Sequence, residues 1–479
     1  MLSRFKFLLK LSLILILLFT FSLIQSETFA VTAKKIKSGQ SCNPIKNSAI
    51  KSSKSTFYCV LNGDGKYRFI ENFKTEPTII NPKSPSNITD CQPPDLRGGI
   101  PNGFDPHSIT FPAQQATLKN SGELNLAVIP IDFPDLEGIE DPSKIYLSEM
   151  EKLQKWYKFF SNGKLLINIR AENKWHRAPN ISSHYDVGEW KNVSLEGFDT
   201  RQLTEELLQS VKNSYDFNNL DAVLFIYPRN IENIELPITR SIDRVNVPNN
   251  GSQFLMVMAT SKQSYTDQFM GPLWLWTAHE MLHHQGLVMH YPVNPFAWGV
   301  EWGSITPSQV LLPWNQSIFG WLQEGQLYCI KSENINKEEI TLVPVESEKM
   351  GTRTVFIRVS ESEVLMVVSH RKSTWSSDMK ANFYGVMVAL IDTSKQTDRT
   401  FESKDDQTGT LYSKSGVYLH PFNRTSSLGG FPKFGANPFT AENLDWGARF
   451  FLGDYIDYKG VRIKLVKSNN FDTISISKI

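Results

Sequence analysis

The sequence predicts an α/β (α+β) domain over residues 121–330 followed by an all-β C-terminal unit over residues 331–479. Three observations carry this. Short apolar, β-prone runs alternate with amphipathic helical stretches from residue 124 to the histidine-rich stretch at 277–291, as in layered strand-and-helix domains. Beyond residue 330 only short β segments divided by polar turns remain. The chain has 479 residues, 41% hydrophobic and 21% charged, too long for one simple core and ordinary in composition for a globular protein.

The elements follow in order. "LNLAVIPIDF" (124–133) reads as a strand, residues 142–160 as an amphipathic helix and "KLLINIRA" (164–171) as a second strand. Residues 201–213 read as a helix, "DAVLFIYP" (221–228) and "SQFLMVMAT" (252–260) as two more strands, and the histidine stretch as a helix. Segment 252–260 is expected at a sheet edge, where an extended peptide could add to it. "EITLVPV", "TVFIRV", "EVLMVVSH", "YGVMVALID", "RFFLGDYI" and "VRIKLVK" are the β segments of the C-terminal unit. No internal repeat is evident.

Before residue 121 the pattern differs. Arg4, Lys6 and Lys10 precede an apolar run from Leu11 to Ile24, and small residues lead to Ala30. This reads as a secretory signal peptide over residues 1–30, too short to span a bilayer, which needs ~20 residues. No stable membrane span is expected after its removal. Residues 31–73 form a Lys- and Ser-rich module whose "STFYCVLNGDGKYRFI" carries a hairpin signal at Asn62-Gly63-Asp64-Gly65. Residues 74–120, rich in Pro, Asn and Ser, read as a linker or prosegment. Four cysteines in an exported chain permit two disulfides. Sequence separation favours Cys42–Cys59 and Cys91–Cys329 among three possible pairings. A net charge of +1 gives no reason to expect nucleic acid as a partner.

The chemistry concentrates at "TAHEMLHHQGLVMHY", residues 277–291. His279 and His283 are four apart, so a helix stacks both imidazoles on one face. Two neutral imidazole nitrogens there suit Zn2+, and Glu280 beside them suits a general base acting on metal-bound water. Gly286 is placed to end the helix in a left-handed residue and turn the chain back towards the metal. Met289 occupies the usual third-ligand spacing and His290 the next position. A thioether is a poor zinc ligand, so His290 leads, ahead of Glu301 or no third ligand. The competing reading of the stretch is a helix whose histidines face solvent or satisfy core hydrogen bonds.

Several segments in series resemble the immune-inhibitor-A-type metallopeptidases, a secreted family within the zincins. They are "LAVIPIDFPD" (126–135), "SNGKLLINI" (161–169), "KWHRAPNISSHY" (174–185), "DFNNLDAVLFIY" (216–227), the His279-to-Leu287 helix end and "PWNQSIFGWL" (313–322). "EVLMVVSHRKSTWSSD" and "YGVMVALID" match more loosely. The resemblance implies a secreted zinc endopeptidase with a zincin-like, metzincin-type catalytic domain. Departures fall near the metal: Met289 stands in place of the family's Asp ligand and Trp302 in place of the Met beneath the metal. In the β part, Ser369-His370 replaces a Glu before Arg371. "CQPPD" (91–95) is similar to a matrixin cysteine switch, although a disulfide is favoured for Cys91.

The resulting expectation is a secreted peptidase acting on a protein or peptide substrate. Zn2+ is held by His279, His283 and His290, with Glu280 as general base. Its rival is a non-catalytic protein on the same fold that binds peptides or cell-surface polymers.

Overall fold

The two aromatic runs around the predicted hairpin pair antiparallel. The computed structural model describes residues 36–43, 49–61, 66–76, 78–97, 108–113, 116–185, 200–243, 254–266, 272–287, 310–371, 373–376, 385–395, 403–404, 411–412, 419–422, 449–450 and 452–479. The chain divides into two compact units, Met1–Thr78 with Ser468–Asn470, and Ile79–Lys467 with Phe471–Ile479. In the first, β1 (Ala49–Lys51), β2 (Ser55–Leu61) and β3 (Tyr67–Phe73) form one sheet. Alternation along β2 and β3 puts Phe57, Cys59 and Phe69 on one buried face. The Cys42–Cys59 disulfide pins the preceding segment there. The signal-peptide reading and residues 62–65 lie outside the described residues.

In the larger unit, β4 (Gly122–Asp132) runs parallel to β5 (Leu165–Ala171) and β7 (Ala222–Ile226). Parallel neighbours need a crossover, and α1 (Ser143–Phe160) supplies it. Its buried Ile145, Tyr146, Met150, Leu153, Trp156, Tyr157 and Phe160 recur at helical spacing. Asn162 (φ 52) and Gly163 (φ 76) turn the chain after the helix, and the Asn162 amide donates to the Trp321 carbonyl at 2.9 Å. The two-residue β6 (His176–Arg177) adds to the end of β4, and α2 (Thr200–Val211) precedes β7. β8 (Ile238–Asp243) and β9 (Phe254–Ala259) complete the order β5-β4-β7-β9-β8.

Segment 252–260 was expected at the edge and is not there. β9 lies inside the sheet, parallel to β7 on one side and antiparallel to β8 on the other. The edge on that side is β8, "ITRSID", whose polar alternation hides it in the sequence, and β5 forms the other edge. An edge strand with one covered face needs few apolar residues.

The two faces of this sheet bury separate clusters. Leu124, Leu126, Val128, Leu224, Met256 and Met258 share a core with α1 and with α3 (Leu273–His284). Ile129, Ile131, Val223, Phe225 and Val257 pack with α2 residues Leu203, Leu207 and Val211. α3 is therefore fixed beside the sheet by its apolar approach residues. A short α4 (Pro313–Ile318), not anticipated as a helix, seats its buried Trp314 and Ile318 in the same core.

β10 (Leu327–Lys331), β12 (Thr354–Arg358), β13 (Glu363–His370), β14 (Gly385–Asp392) and β17 (Leu419–Pro421) form a second sheet, with β18 (Arg449–Phe450) also along β14. Phe356, Val364 and Met366 face the core shared with α1 and α3, while Val355, Leu365 and Val367 face a third cluster. That cluster is closed by a sheet of β11 (Lys337–Leu342), β21 (Asp472–Lys478), β20 (Val461–Ser468) and β19 (Tyr455–Tyr458). Ser403–Lys404 and Leu411–Tyr412 make a separate two-stranded pair (β15, β16). Residues before and after position 330 thus share one apolar core. The extended segment from Ile79 is held to this part by Asn81 and Ser84 bonds to Thr341 and Cys329 and by the Cys91–Cys329 disulfide. Among the described residues no helix is long and apolar enough to cross a membrane.

Candidate metal centre

α3 begins after Pro272, which is extended (ψ 150). The Glu149 carboxylate accepts from the Trp274 backbone N–H at 3.4 Å, in the first turn where negative charge is favourable. Leu273, Trp274, Leu275, Trp276, Ala278, Met281 and Leu282 are all buried, so the helix is apolar nearly all round, as a core helix is. Its end is closed by two bonds. Gly286 N–H donates to the His283 carbonyl at 2.9 Å and Leu287 N–H to the Leu282 carbonyl at 3.0 Å. With Gly286 at φ 104, this is the paired C-terminal motif that a left-handed glycine permits. The expected turn after His283 is therefore present through Leu287.

The four-residue spacing brings His279 Nε2 to 3.0 Å from His283 Nε2, with the rings near-perpendicular at 85°. Two nitrogens bound to one tetrahedral zinc at ~2.0–2.1 Å stand about 3.3 Å apart. The pair is thus within a few tenths of an ångström of that separation. His283 Nδ1 lies 3.2 Å from the Leu287 carbonyl oxygen. Donation of an N–H there leaves His283 Nε2 with its lone pair facing His279. Burial pushes His279 down to about 4, which keeps it neutral at pH 7, the form that binds metals. His279 Nδ1 is buried and has no hydrogen-bond partner among the described residues.

Glu280 Oε1 lies 4.0 Å from His279 Nε2, and its side chain is 15% exposed. Burial raises its carboxyl to about 8, partly opposed by a hydrogen bond from the Trp276 side chain one turn earlier. Without a neighbouring cation it therefore holds its proton near neutrality; a dication alongside would favour the carboxylate. Beneath the helix end, Tyr157 Oη lies 3.2 Å from Gln285 Oε1, and Gln285 Nε2 donates to the Lys119 carbonyl at 3.0 Å. Burial raises the Tyr157 hydroxyl well above its usual range.

The structure brings His279, Glu280 and His283 together. His290, Met289, Glu301 and Trp302 lie outside the described residues. Among the described residues no group of three or more metal-ligating side chains gathers. The nearness of Trp276 to Glu280 could have been found from their i, i+4 spacing. The Leu287 carbonyl could not, because backbone acceptors leave no composition signal.

Ser369, His370 and Arg371, at the end of β13, form a buried charge network. His370 Nδ1 is 2.6 Å from Glu346 Oε1, Arg371 Nη2 donates to Asp472 Oδ1 at 2.6 Å, and Ser369 Oγ donates to Asp472 Oδ2 at 2.7 Å. These contacts tie β13 to β21 and to the segment after β11.

No family model and no curated protein matches the chain. Among solved structures, wild-type OgpA from Akkermansia muciniphila is similar over 59% of this chain and 87% of its own, at 14% identity and a TM-score of 0.28. Metalloproteinase-II from Bacteroides fragilis is similar over 58% of this chain and 79% of its own, at 14% identity and a TM-score of 0.25.

Proposed function

We propose that the chain is a secreted zinc-dependent endopeptidase. The observation that carries this reading is His279 Nε2 and His283 Nε2 facing each other at 3.0 Å on a buried helix, with the Glu280 carboxyl 4.0 Å from His279 Nε2. His279 and His283 would hold the ion through Nε2, and His290 is the proposed third ligand, with Glu301 as the alternative. Zinc bound there would polarise the scissile carbonyl and lower the pKa of a coordinated water to ~7.

The chain's own residues do the rest. The Leu287 carbonyl fixes the tautomer of His283, so its Nε2 stays available. Glu280 takes the proton from the attacking water at a carboxylate oxygen and passes it to the leaving amine. The peptide lies in extended form along β8, the antiparallel edge of the sheet, as an added strand. Export through the N-terminal leader fits the two disulfides.

The test is hydrolysis of an unfolded protein substrate by the purified, zinc-loaded chain and by its Glu280→Ala variant. Cleavage by the first and none by the second, with equal zinc in both, supports the reading. Equal cleavage by both sinks the mechanism. No cleavage by either favours the non-catalytic, peptide-binding reading.

A further inference from the structure

His284 has no part in that chemistry, yet both its ring nitrogens are engaged. Nε2 lies 3.2 Å from Thr239 Oγ1, and Nδ1 lies 2.9 Å from Ser241 Oγ. Thr239 and Ser241 are two apart on β8, so they project from the same face of the edge strand. In register they stand opposite Met258 and Met256 of β9. Those methionines belong to the core shared with α3, whereas Ile238 of β8 belongs to the core on the other face. The face of β8 turned towards α3 is thus polar where its neighbour is apolar, and its hydroxyls meet one imidazole. The contact extends further, since Ser241 Oγ also donates to Thr117 Oγ1 at 3.3 Å.

We infer that His284 is a positioning residue: by clasping Thr239 and Ser241 it fixes the edge strand β8 relative to the helix that carries His279, Glu280 and His283. The inference rests on the proposed peptidase function and adds what aligns its substrate. Among the described residues, β8 meets its sheet through β9 alone. The end of an edge strand opens readily because few contacts hold it. A substrate strand paired to β8 takes its register and distance to the metal from β8. A loosened β8 has to be ordered each time a substrate strand pairs with it, and that ordering cost weakens binding. His284 spans the gap with a rigid ring that contacts two hydroxyls on one strand. It is also one residue from His283, so the strand and the metal ligands share a single helical turn.

The test compares the zinc-loaded full chain with His284→Phe, His284→Gln and the reciprocal pair Thr239→Val with Ser241→Ala. Two readouts are taken: amide hydrogen exchange of residues 238–243, and KM and kcat on a fluorogenic extended peptide of about ten residues. Two net hydrogen bonds are removed, so exchange in β8 should quicken about tenfold or more in His284→Phe and in the reciprocal pair. KM should rise by a similar factor while kcat stays within about twofold, and zinc content should not change. His284→Gln, which keeps a donor and an acceptor, should recover part of both. Unchanged exchange in His284→Phe and in the reciprocal pair would overturn the clasp. Faster exchange with unchanged KM would overturn the positioning role. A wild-type chain that cleaves nothing would remove both the proposed function and its alignment role, while the exchange arm would still decide whether the clasp exists.

Discussion

His279 Nε2 and His283 Nε2 face each other at 3.0 Å across one helical turn. Burial keeps the first imidazole neutral, and the Leu287 carbonyl orders the second. A site prepared in this way predicts that His283→Ala loses zinc more completely than His284→Gln, which leaves both nitrogens in place. Equilibrium dialysis against limiting zinc checks this. The expected loss for His283→Ala is at least tenfold in affinity; equal retention by the two variants would contradict the assignment.

Replacing Glu280 by Gln keeps the side chain's size and removes its basicity. The expected result is a fall in kcat of about 10²–10⁴-fold, the usual worth of a placed general base. Thermal unfolding should shift little, because burial disfavours the ionised form of Glu280 in the metal-free chain. Activity assays with parallel melting curves test both parts.

The Glu346–His370 contact makes stability depend on pH in a definite direction. Burial alone would raise the Glu346 carboxyl, but the His370 charge, its hydrogen bond and the Arg371 backbone N–H outweigh it and hold the value below 4.5. A depressed carboxylate stabilises the fold above its unfolded value, and that contribution disappears as pH falls through the folded value. Unfolding free energies from urea titrations should therefore separate wild type from Glu346→Gln at pH 6 by about 3 kcal/mol or more, as when a buried pair loses one partner. The gap should narrow as the pH falls from about 4.5. A gap that is constant with pH would show that the pair is not ionised.

The two disulfides close loops of very different length, with sequence separations of 17 and 238. On loop-closure entropy, opening Cys91–Cys329 with a double Ser substitution should cost ~5–6 kcal/mol, against ~3 kcal/mol for Cys42–Cys59. Denaturant unfolding of the two variants gives the comparison. The longer loop also fastens the segment before residue 97 to the core, so it should become the more protease-sensitive segment in the Cys91/Cys329 variant.

Much of this fold is legible in the sequence wherever burial is two-sided or periodic. β4, β13 and β14 are continuous apolar runs because both faces are covered. α1 shows its spacing because only one stripe is buried. β8 escaped because an edge strand needs few apolar residues, and β21 because "DTISISK" hides its buried isoleucines among polar neighbours. In the site, the spacing of His279, Glu280 and His283 was readable from helix geometry. The partners of His284 were not, because Thr239 and Ser241 lie more than forty residues away and meet it only through the sheet order. The partner of His370, Glu346, comes from a loop that no local pattern connects to it.

Zinc content separates the metal-site reading of α3 from its rival most sharply. Elemental analysis of the purified mature chain, dialysed against metal-free buffer, should find about one zinc per chain, and the His279→Ala/His283→Ala double variant should hold none. A wild-type chain without zinc, even after refolding with excess metal, would contradict a zinc site at His279 and His283.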